Sequence, residues 1–353
     1  MLDSRPMHPL SNVLEDAGLD ALLVTQPENV RYLSGFTSPK DGWVAVWREG
    51  ATLVTDPRYT LQAQQESRIP QRIVPREHSA EVMAELLRGR VGFEANHLAF
   101  GRLEALREQV PAEWVPTSDL VERLRLKKTP EELERIRAAA RLADEGYEHI
   151  LPFLKPGVSE RDIALELEFF LRKRGSEGVA FEIIVASGER SAMPHGAASS
   201  KKLLPGELVT LDFGAVVEGY HSDMTRTVAL GEVSRELREI YDAVLEAQQA
   251  ALEAVRPGKT GKELDAIARQ ALTDRGYGEY FAHGLGHGVG LAIHEGPRLN
   301  KLSDDLLEAG MVLTIEPGVY IPGVGGCRIE DLVLVTEAGY EVLSHSPKGF
   351  SSL

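Results

Sequence analysis

One stretch of this chain occurs twice. KPGVSERDIALELEFFLRKRG at 155–175 and RPGKTGKELDAIARQALTDRG at 256–276 align without a gap at an offset of 101. Each copy opens on basic-Pro-Gly, offers Ser159 or Thr260 as a helix N-cap, spaces its apolar residues as a helix does and stops at Arg-Gly. Matching caps, stops and spacing over that length mark a duplicated unit. The duplication then runs on more loosely. Each half presents a histidine, a strand bearing an acid and a second strand bearing another: His195, Asp212 and Asp223 in the first, His294, Glu316 and Glu330 in the second. Two such halves folded about a pseudo-two-fold axis bring four carboxylates and two histidines around one centre.

Asp212 sits in VTLDFGAVV and Asp223 adjoins TRTVAL, which reads as two antiparallel strands with a short connection loosened by Gly214 and Gly219. Unpaired carboxylates in such apolar surroundings are costly. Four of them about 4 Å apart would repel by about 4 kcal/mol per pair at an effective dielectric near 20. Protonation relieves one or two but not all four cheaply, whereas two divalent cations cancel the whole charge. GLGHGVGLAIHEGP (284–297) adds His287, set among glycines that let backbone approach a packed centre, with His294 seven residues on. Asp212, Asp223, His287, Glu316 and Glu330 form an oxygen-rich set without thiolate, suited to a pair of Mn²⁺, Co²⁺ or Zn²⁺ ions. Paired metals activate a water and polarise a carbonyl or phosphoryl group. The chain has no G-x-G-x-x-G in its glycine run, no phosphate-binding P-loop and no G-x-S-x-G elbow, so metal-assisted hydrolysis is the remaining reaction class.

A length of 353 residues suggests two domains. ALLVT (21–25), WVAVW (43–47) and ATLVT (51–55) read as strands and EVMAELLRG (81–89) as a helix, a small α/β unit. The character changes at KKTPEELERIRAAARLADEGYEHILPFL, where Thr129, Pro130 and Glu132 spell an N-cap, a first helical residue and a capping box. The boundary therefore falls near residue 126, giving domains 1–125 and 126–353. MLDSRPMHPLSNVLEDAG has neither the basic start nor the apolar run of a secretory signal, and no segment is apolar for long enough to span a bilayer. A single cysteine, Cys327 in a glycine-rich turn, excludes intrachain disulfides and fits a reducing cytoplasm. A net charge of −15 argues against nucleic acid as a partner.

LDFG (211–214), SDMTRT (222–227), HGLGHGVGL (283–291), TIEPG (314–318) and RIEDLV (328–333) together resemble the motifs of the pita-bread metallopeptidases, in that family's order. That family includes methionine aminopeptidase, aminopeptidase P and prolidase. NVRYLSGF (29–36) and TDPRYTLQA (55–63) resemble the N-terminal domain shared by prolidase, aminopeptidase P and creatinase. The resemblance covers nearly the whole chain. It implies an α+β fold, a pita-bread catalytic domain with a pseudo-two-fold repeat after a smaller creatinase-like α/β domain. By the same resemblance Asp212 binds one metal, Asp223 and Glu330 bridge both, and His287 and Glu316 complete the other. Glu316 also handles the proton of the attacking water. His195 and His294 flank the substrate and stabilise the tetrahedral intermediate, and His283 and Arg328 line the site.

Arg298, in IHEGPRLN, resembles the prolidase arginine that receives the carboxylate of a C-terminal proline, a geometry that suits a guanidinium fork. The implied enzyme is a cytoplasmic, homodimeric dipeptidase that cleaves Xaa-Pro with two divalent ions, Mn²⁺ foremost. The alternatives are an Xaa-Pro aminopeptidase acting on longer peptides, a creatinase-like C–N hydrolase and a non-catalytic binding protein. The intact five-residue ligand set speaks against the last two. Tyr220, Tyr320 and Thr225 read as packing or supporting residues.

Overall fold

The computed structural model describes residues 8–353; the first seven residues, part of the stretch read as lacking a secretory signal, lie outside the described residues. The chain divides into two compact units, one ending at Arg125 and one beginning at Leu126. No helix among the described residues is long and apolar enough to cross a membrane.

In the first unit the three apolar runs become β1 (Ala21–Val24), β2 (Gly42–Trp47) and β3 (Gly50–Thr55). With β4 (Gln71–Ile73), β5 (Arg90–Glu94) and β6 (Glu113–Thr117) they form a mixed sheet ordered β4-β3-β2-β1-β5-β6. All of β1 is buried because both faces of the sheet are covered: Leu22 and Val24 join one apolar cluster, Ala21 and Leu23 the other. Helices α1 (His8–Asp16), α2 (Pro27–Ser34) and α3 (Thr60–Glu66) supply Leu14, Val30 and Ala63 to the first cluster. Helices α4 (Ser79–Leu86) and α5 (Phe100–Gln109) supply Met83 and Leu106 to the second. Double coverage explains why these strands read as continuous apolar runs. A single turn, α6 (Glu122–Arg125), closes the unit.

The second unit opens with α7 (Pro130–Ile150), capped as expected: Thr129 and Glu132 exchange side-chain and backbone bonds. The duplication is plain in three dimensions. In the first half α7 is followed by α8 (Glu160–Lys173); in the second, α9 (Arg235–Glu253) is followed by α10 (Gly261–Asp274). Both repeat helices carry complete capping boxes, Ser159 with Asp162 and Thr260 with Glu263. Their starts are tied alike, Gly157 N–H to Leu203 O and Gly258 N–H to Leu307 O, both at 2.9 Å.

The strands repeat too. β7 (Ile184–Ser187), β8 (Glu207–Phe213) and β11 (Met224–Leu230) form an antiparallel sheet ordered β11-β8-β7, with a ribbon of β9 (Val216–Val217) and β10 (Tyr220–His221) between β8 and β11. The second half has β12 (Gly286–Gly288), β13 (Glu295–Leu299), β14 (Val312–Ile315), β17 (Asp331–Thr336) and β18 (Gly339–Val342), ordered β13-β12-β14-β17-β18. Its ribbon, β15 (Gly318–Ile321) with β16 (Gly325–Arg328), again interrupts the acid-bearing pair, β14 and β17.

Each helix pair packs on its own sheet. Tyr147, Ile163 and Leu167 meet Leu211 and Phe213 in one core; Ile240, Val244 and Leu264 meet Leu313 and Val333 in the other. Burial of each such side chain stabilises by about 1.5–3 kcal/mol. Leu211 and Phe213 point into their core, so the period of two turns Asp212 to the opposite face. One detail differs from the sequence reading. Only Asp212 lies within a strand; Asp223 precedes β11, Glu316 follows β14 and Glu330 precedes β17. The ribbons break the ladders there, so these acids sit at strand ends beside the cavity.

Candidate metal centre

The ten side chains nominated from the sequence all line one cavity of about 510 Å³ in the second unit, within the size range of small-molecule sites. Local chemistry puts them there. Strand β8 pairs with β11 so that Thr225 lies opposite Asp212 and Asp223 follows at the open end. Gly214 contributes closeness rather than looseness: a Cβ on it would lie 1.8 Å from Ser222 O. His287 is carried on β12, whose flanking glycines pass against neighbouring backbone, and a Cβ at Gly286 would come within 2.1 Å of Thr314 O. No side chain larger than hydrogen fits at either position.

The His287 ring is oriented for ligation. Its Nδ1 faces Gly288 O at 3.1 Å, and a carbonyl only accepts, so Nδ1 carries the proton. The lone pair is left on Nε2, which faces Glu316 Oε1 at 3.3 Å and Asp223 Oδ2 at 3.6 Å. Donor atoms of Asp223, His287 and Glu330 all lie within 4.8 Å of one another. Asp212 and Glu316 line the same cavity outside that tightest trio.

Three of the four acids have one oxygen fixed by a side chain. Asp212 Oδ2 accepts from Arg328 Nη2 at 2.6 Å, and Glu330 Oε2 accepts from Thr225 Oγ1 at 2.6 Å. Glu316 Oε1 accepts from Thr314 Oγ1 at 3.0 Å. The second oxygens, Asp212 Oδ1 and Glu330 Oε1, are buried without any hydrogen-bond partner. A buried carboxylate oxygen is not left idle at no cost, and convergent idle oxygens beside an imidazole lone pair are the donor set of a hard-to-borderline divalent cation. The residues therefore fit the metals that the sequence implies.

The electrostatics agree. Burial, then the charges of Glu330, Asp212 and Glu316, push the Asp223 carboxyl well above the usual range. Burial and the charges of Glu316 and Asp212 do the same to Glu330, and burial raises Glu316. Burial lowers His287, His283 and His294, keeping these imidazoles neutral at neutral pH.

The His283 ring is also held by its neighbours. Its Nδ1 donates to Gly284 O at 2.8 Å, so Nε2 accepts from the Tyr320 hydroxyl at 2.9 Å. Arg328 Nη1 donates to that hydroxyl at 2.8 Å and its Nε to Thr225 Oγ1 at 3.1 Å. Of the residues read from the sequence as packing or supporting, Thr225 thus joins the two halves of the site, and Tyr320 links His283 to Arg328 within the second half. Tyr220 donates instead to the capping carboxylate of Glu132 at 2.6 Å. The cavity also takes Phe181, Glu182, Ile184 and Asn300 as wall, which no motif singled out.

The match to known proteins is extensive. Residues 134–337 match the model of metallopeptidase family M24, and residues 8–127 that of the creatinase/prolidase N-terminal domain. The chain is 40% identical to the Xaa-Pro dipeptidase of Pyrococcus furiosus over 97% of its own length and 98% of that protein's. A solved Xaa-Pro dipeptidase from Bacillus anthracis superposes with a TM-score of 0.95 at 46% identity, covering 98% of this chain and 99% of that one. An X-Pro aminopeptidase from Thermotoga maritima gives a TM-score of 0.89 at 35% identity, covering 97% of this chain and 100% of that one.

A helix-backed, duplicated sheet with acids converging on one cavity defines a metal-dependent hydrolase. The chain belongs to the M24 metallopeptidases, in the branch of metallo-exopeptidases that holds the Xaa-Pro dipeptidases and aminopeptidases. Its fold is the expected α+β one, a creatinase-type N-terminal domain followed by a pita-bread catalytic domain.

Proposed function

We propose that this protein is an Xaa-Pro dipeptidase whose catalytic domain is residues 126–353, following a creatinase-like domain at 1–125. Asp212, Asp223, His287, Glu316 and Glu330 would hold two divalent cations, Mn²⁺ foremost. When bound, the cations supply Lewis acidity to the scissile carbonyl and lower the pKa of a water. Glu316, at the cavity with one oxygen held by Thr314, is the group that would take the proton of the attacking water. His195 and His294, both accessible at the cavity wall, donate to the oxygen on which charge develops. His283 and Arg328 line the substrate side, with Arg328 also holding Asp212.

The observation that carries the dipeptidase reading is Arg298. Its backbone N–H is anchored on Asp305 Oδ2 at 2.8 Å, while the exposed residue lines the cavity and its guanidinium makes no hydrogen bond or ion pair among the described residues. A free guanidinium beside an acid-lined centre matches a dipeptide's terminal carboxylate, which it can grip bidentately. Likeness to the Thermotoga maritima structure favours a second reading, an X-Pro aminopeptidase acting on longer peptides.

The test is hydrolysis of Ala-Pro and Ala-Pro-Ala by chelator-stripped protein and after Mn²⁺ is restored. Activity that needs Mn²⁺ and runs faster on Ala-Pro supports the dipeptidase; activity indifferent to chelation removes the metal reading. The buried free thiol of Cys327 supports a reducing, cytoplasmic setting, and the family resemblance supports a homodimer, which sedimentation would test.

A further inference from the structure

Arg226 has the largest fully buried side chain among the described residues, with 1% of the residue exposed. It does not line the cavity, so neither substrate binding nor cation ligation explains it. Burying a guanidinium is costly unless every donor is met, and here all five N–H groups are met. Nε donates to Ser346 O at 3.0 Å. Nη2 donates to Ser346 O at 2.8 Å and to Asp331 Oδ1 at 2.8 Å. Nη1 donates to Thr225 O at 2.9 Å and to Glu330 O.

The last of these contacts gives the cluster a meaning. Strand β11, from the first half, grips Glu330 of the second half at three points. Thr225 O accepts from Glu330 N–H at 3.1 Å, Arg226 donates to Glu330 O, and Thr225 Oγ1 donates to Glu330 Oε2 at 2.6 Å. What remains of Glu330 is Oε1, buried and without a partner, on a residue whose carboxylate reaches within 4.8 Å of donor atoms of Asp223 and His287. Asp331 completes the clamp: besides Arg226 it accepts from Gln248 Nε2 at 2.9 Å and from Lys348.

We propose that Arg226 is a positioning residue for the metal centre, fixing the main chain of Glu330 from the opposite half so that one carboxylate oxygen is presented to a cation. The inference rests on the reading that Glu330 is a ligand. Arg226 thereby sets cation affinity without touching cation or substrate.

The test titrates Mn²⁺ calorimetrically into chelator-stripped wild type, Arg226→Lys, Asp331→Asn and Glu330→Gln, and melts each stripped protein. A lysine cannot reach four acceptors with one ammonium, and Asp331→Asn puts a donor where Arg226 or Lys348 needs an acceptor. Arg226→Lys should weaken Mn²⁺ binding about 10- to 100-fold, as loss of an orienting partner does, and Asp331→Asn should weaken it less, about 3- to 10-fold. If Arg226→Lys fails to fold by circular dichroism, Asp331→Asn decides. A purely structural arginine would lower the melting temperature while leaving Mn²⁺ affinity within about twofold of wild type, which overturns the proposal. Unchanged affinity in Glu330→Gln overturns it at its root, by removing Glu330 from the ligands. Weakened Glu330→Gln with unchanged Arg226→Lys and Asp331→Asn removes only the role of Arg226.

Discussion

Asp223 and Glu330 carry a cost that their chemistry explains. Burial and neighbouring acids hold both carboxyls well above the usual range. A raised folded-state value means that stability is complete below the unfolded pKa and is lost as pH rises through the folded one. Stripped of metal, the protein should therefore lose stability as pH climbs from about 4, the ordinary carboxylate value. Asp223→Asn removes one charge at constant volume. The stripped variant should melt above stripped wild type at pH 7, by about 2–4 °C per kcal/mol of repulsion relieved, with the difference closing near pH 4. Its Mn²⁺-dependent activity should fall by orders of magnitude. Equal or lower melting at pH 7 would show that the acids do not strain the fold. At this scale the grouping was legible: the ten nominated residues share one cavity. Arg226 and Thr225 were not, because their meaning lies in partners about a hundred positions away, such as Glu330 for Thr225.

The duplicated helices do more than cover the sheets. Glu160, at the start of α8 and fully buried, accepts from Ser187 N–H at 2.8 Å, Ser187 Oγ at 2.9 Å, Ser199 N–H at 3.1 Å, Ser199 Oγ at 2.6 Å and from Arg190. It thus pins both ends of the segment that carries His195. In α10 the corresponding work falls to Arg269, which donates to Phe281 O at 2.8 Å and His283 O at 2.9 Å. Glu160→Ala should cost about 1–3 kcal/mol, the usual loss when a buried donor such as Ser187 N–H is left without its acceptor. It should lower kcat on Ala-Pro while bound Mn²⁺ stays at wild-type level, read by urea melts, metal analysis and steady-state kinetics. Retained kcat would show that the His195 segment holds itself. The caps and stops of these helices were readable, since they depend on residues three apart. The anchoring by Glu160 was not, since an acid at a first helical turn reads equally well as solvated surface.

Across the whole molecule the two halves match in architecture and differ where a substrate needs an orientation. The repeat aligns Glu160 with Gly261. Where Glu160 reaches out to hold a segment, Gly261 withdraws: a Cβ there would lie 2.0 Å from Arg298 O. The missing side chain admits the backbone of Arg298, a residue of the cavity wall with no counterpart among the first-half residues nominated from the sequence. The duplication announced a symmetric centre in the sequence, but this asymmetry comes from packing that no periodicity encodes. Its consequence is directly measurable as kcat/KM for Ala-Pro and Ala-Pro-Ala, in Mn²⁺-loaded wild type and Arg298→Ala. A charge-assisted pair contributes about 1.5–3 kcal/mol, or about 10- to 100-fold. Wild type should prefer Ala-Pro, and Arg298→Ala should lose that factor on Ala-Pro while changing little on Ala-Pro-Ala. Equal losses on both substrates, or faster cleavage of Ala-Pro-Ala by wild type, would contradict the dipeptidase.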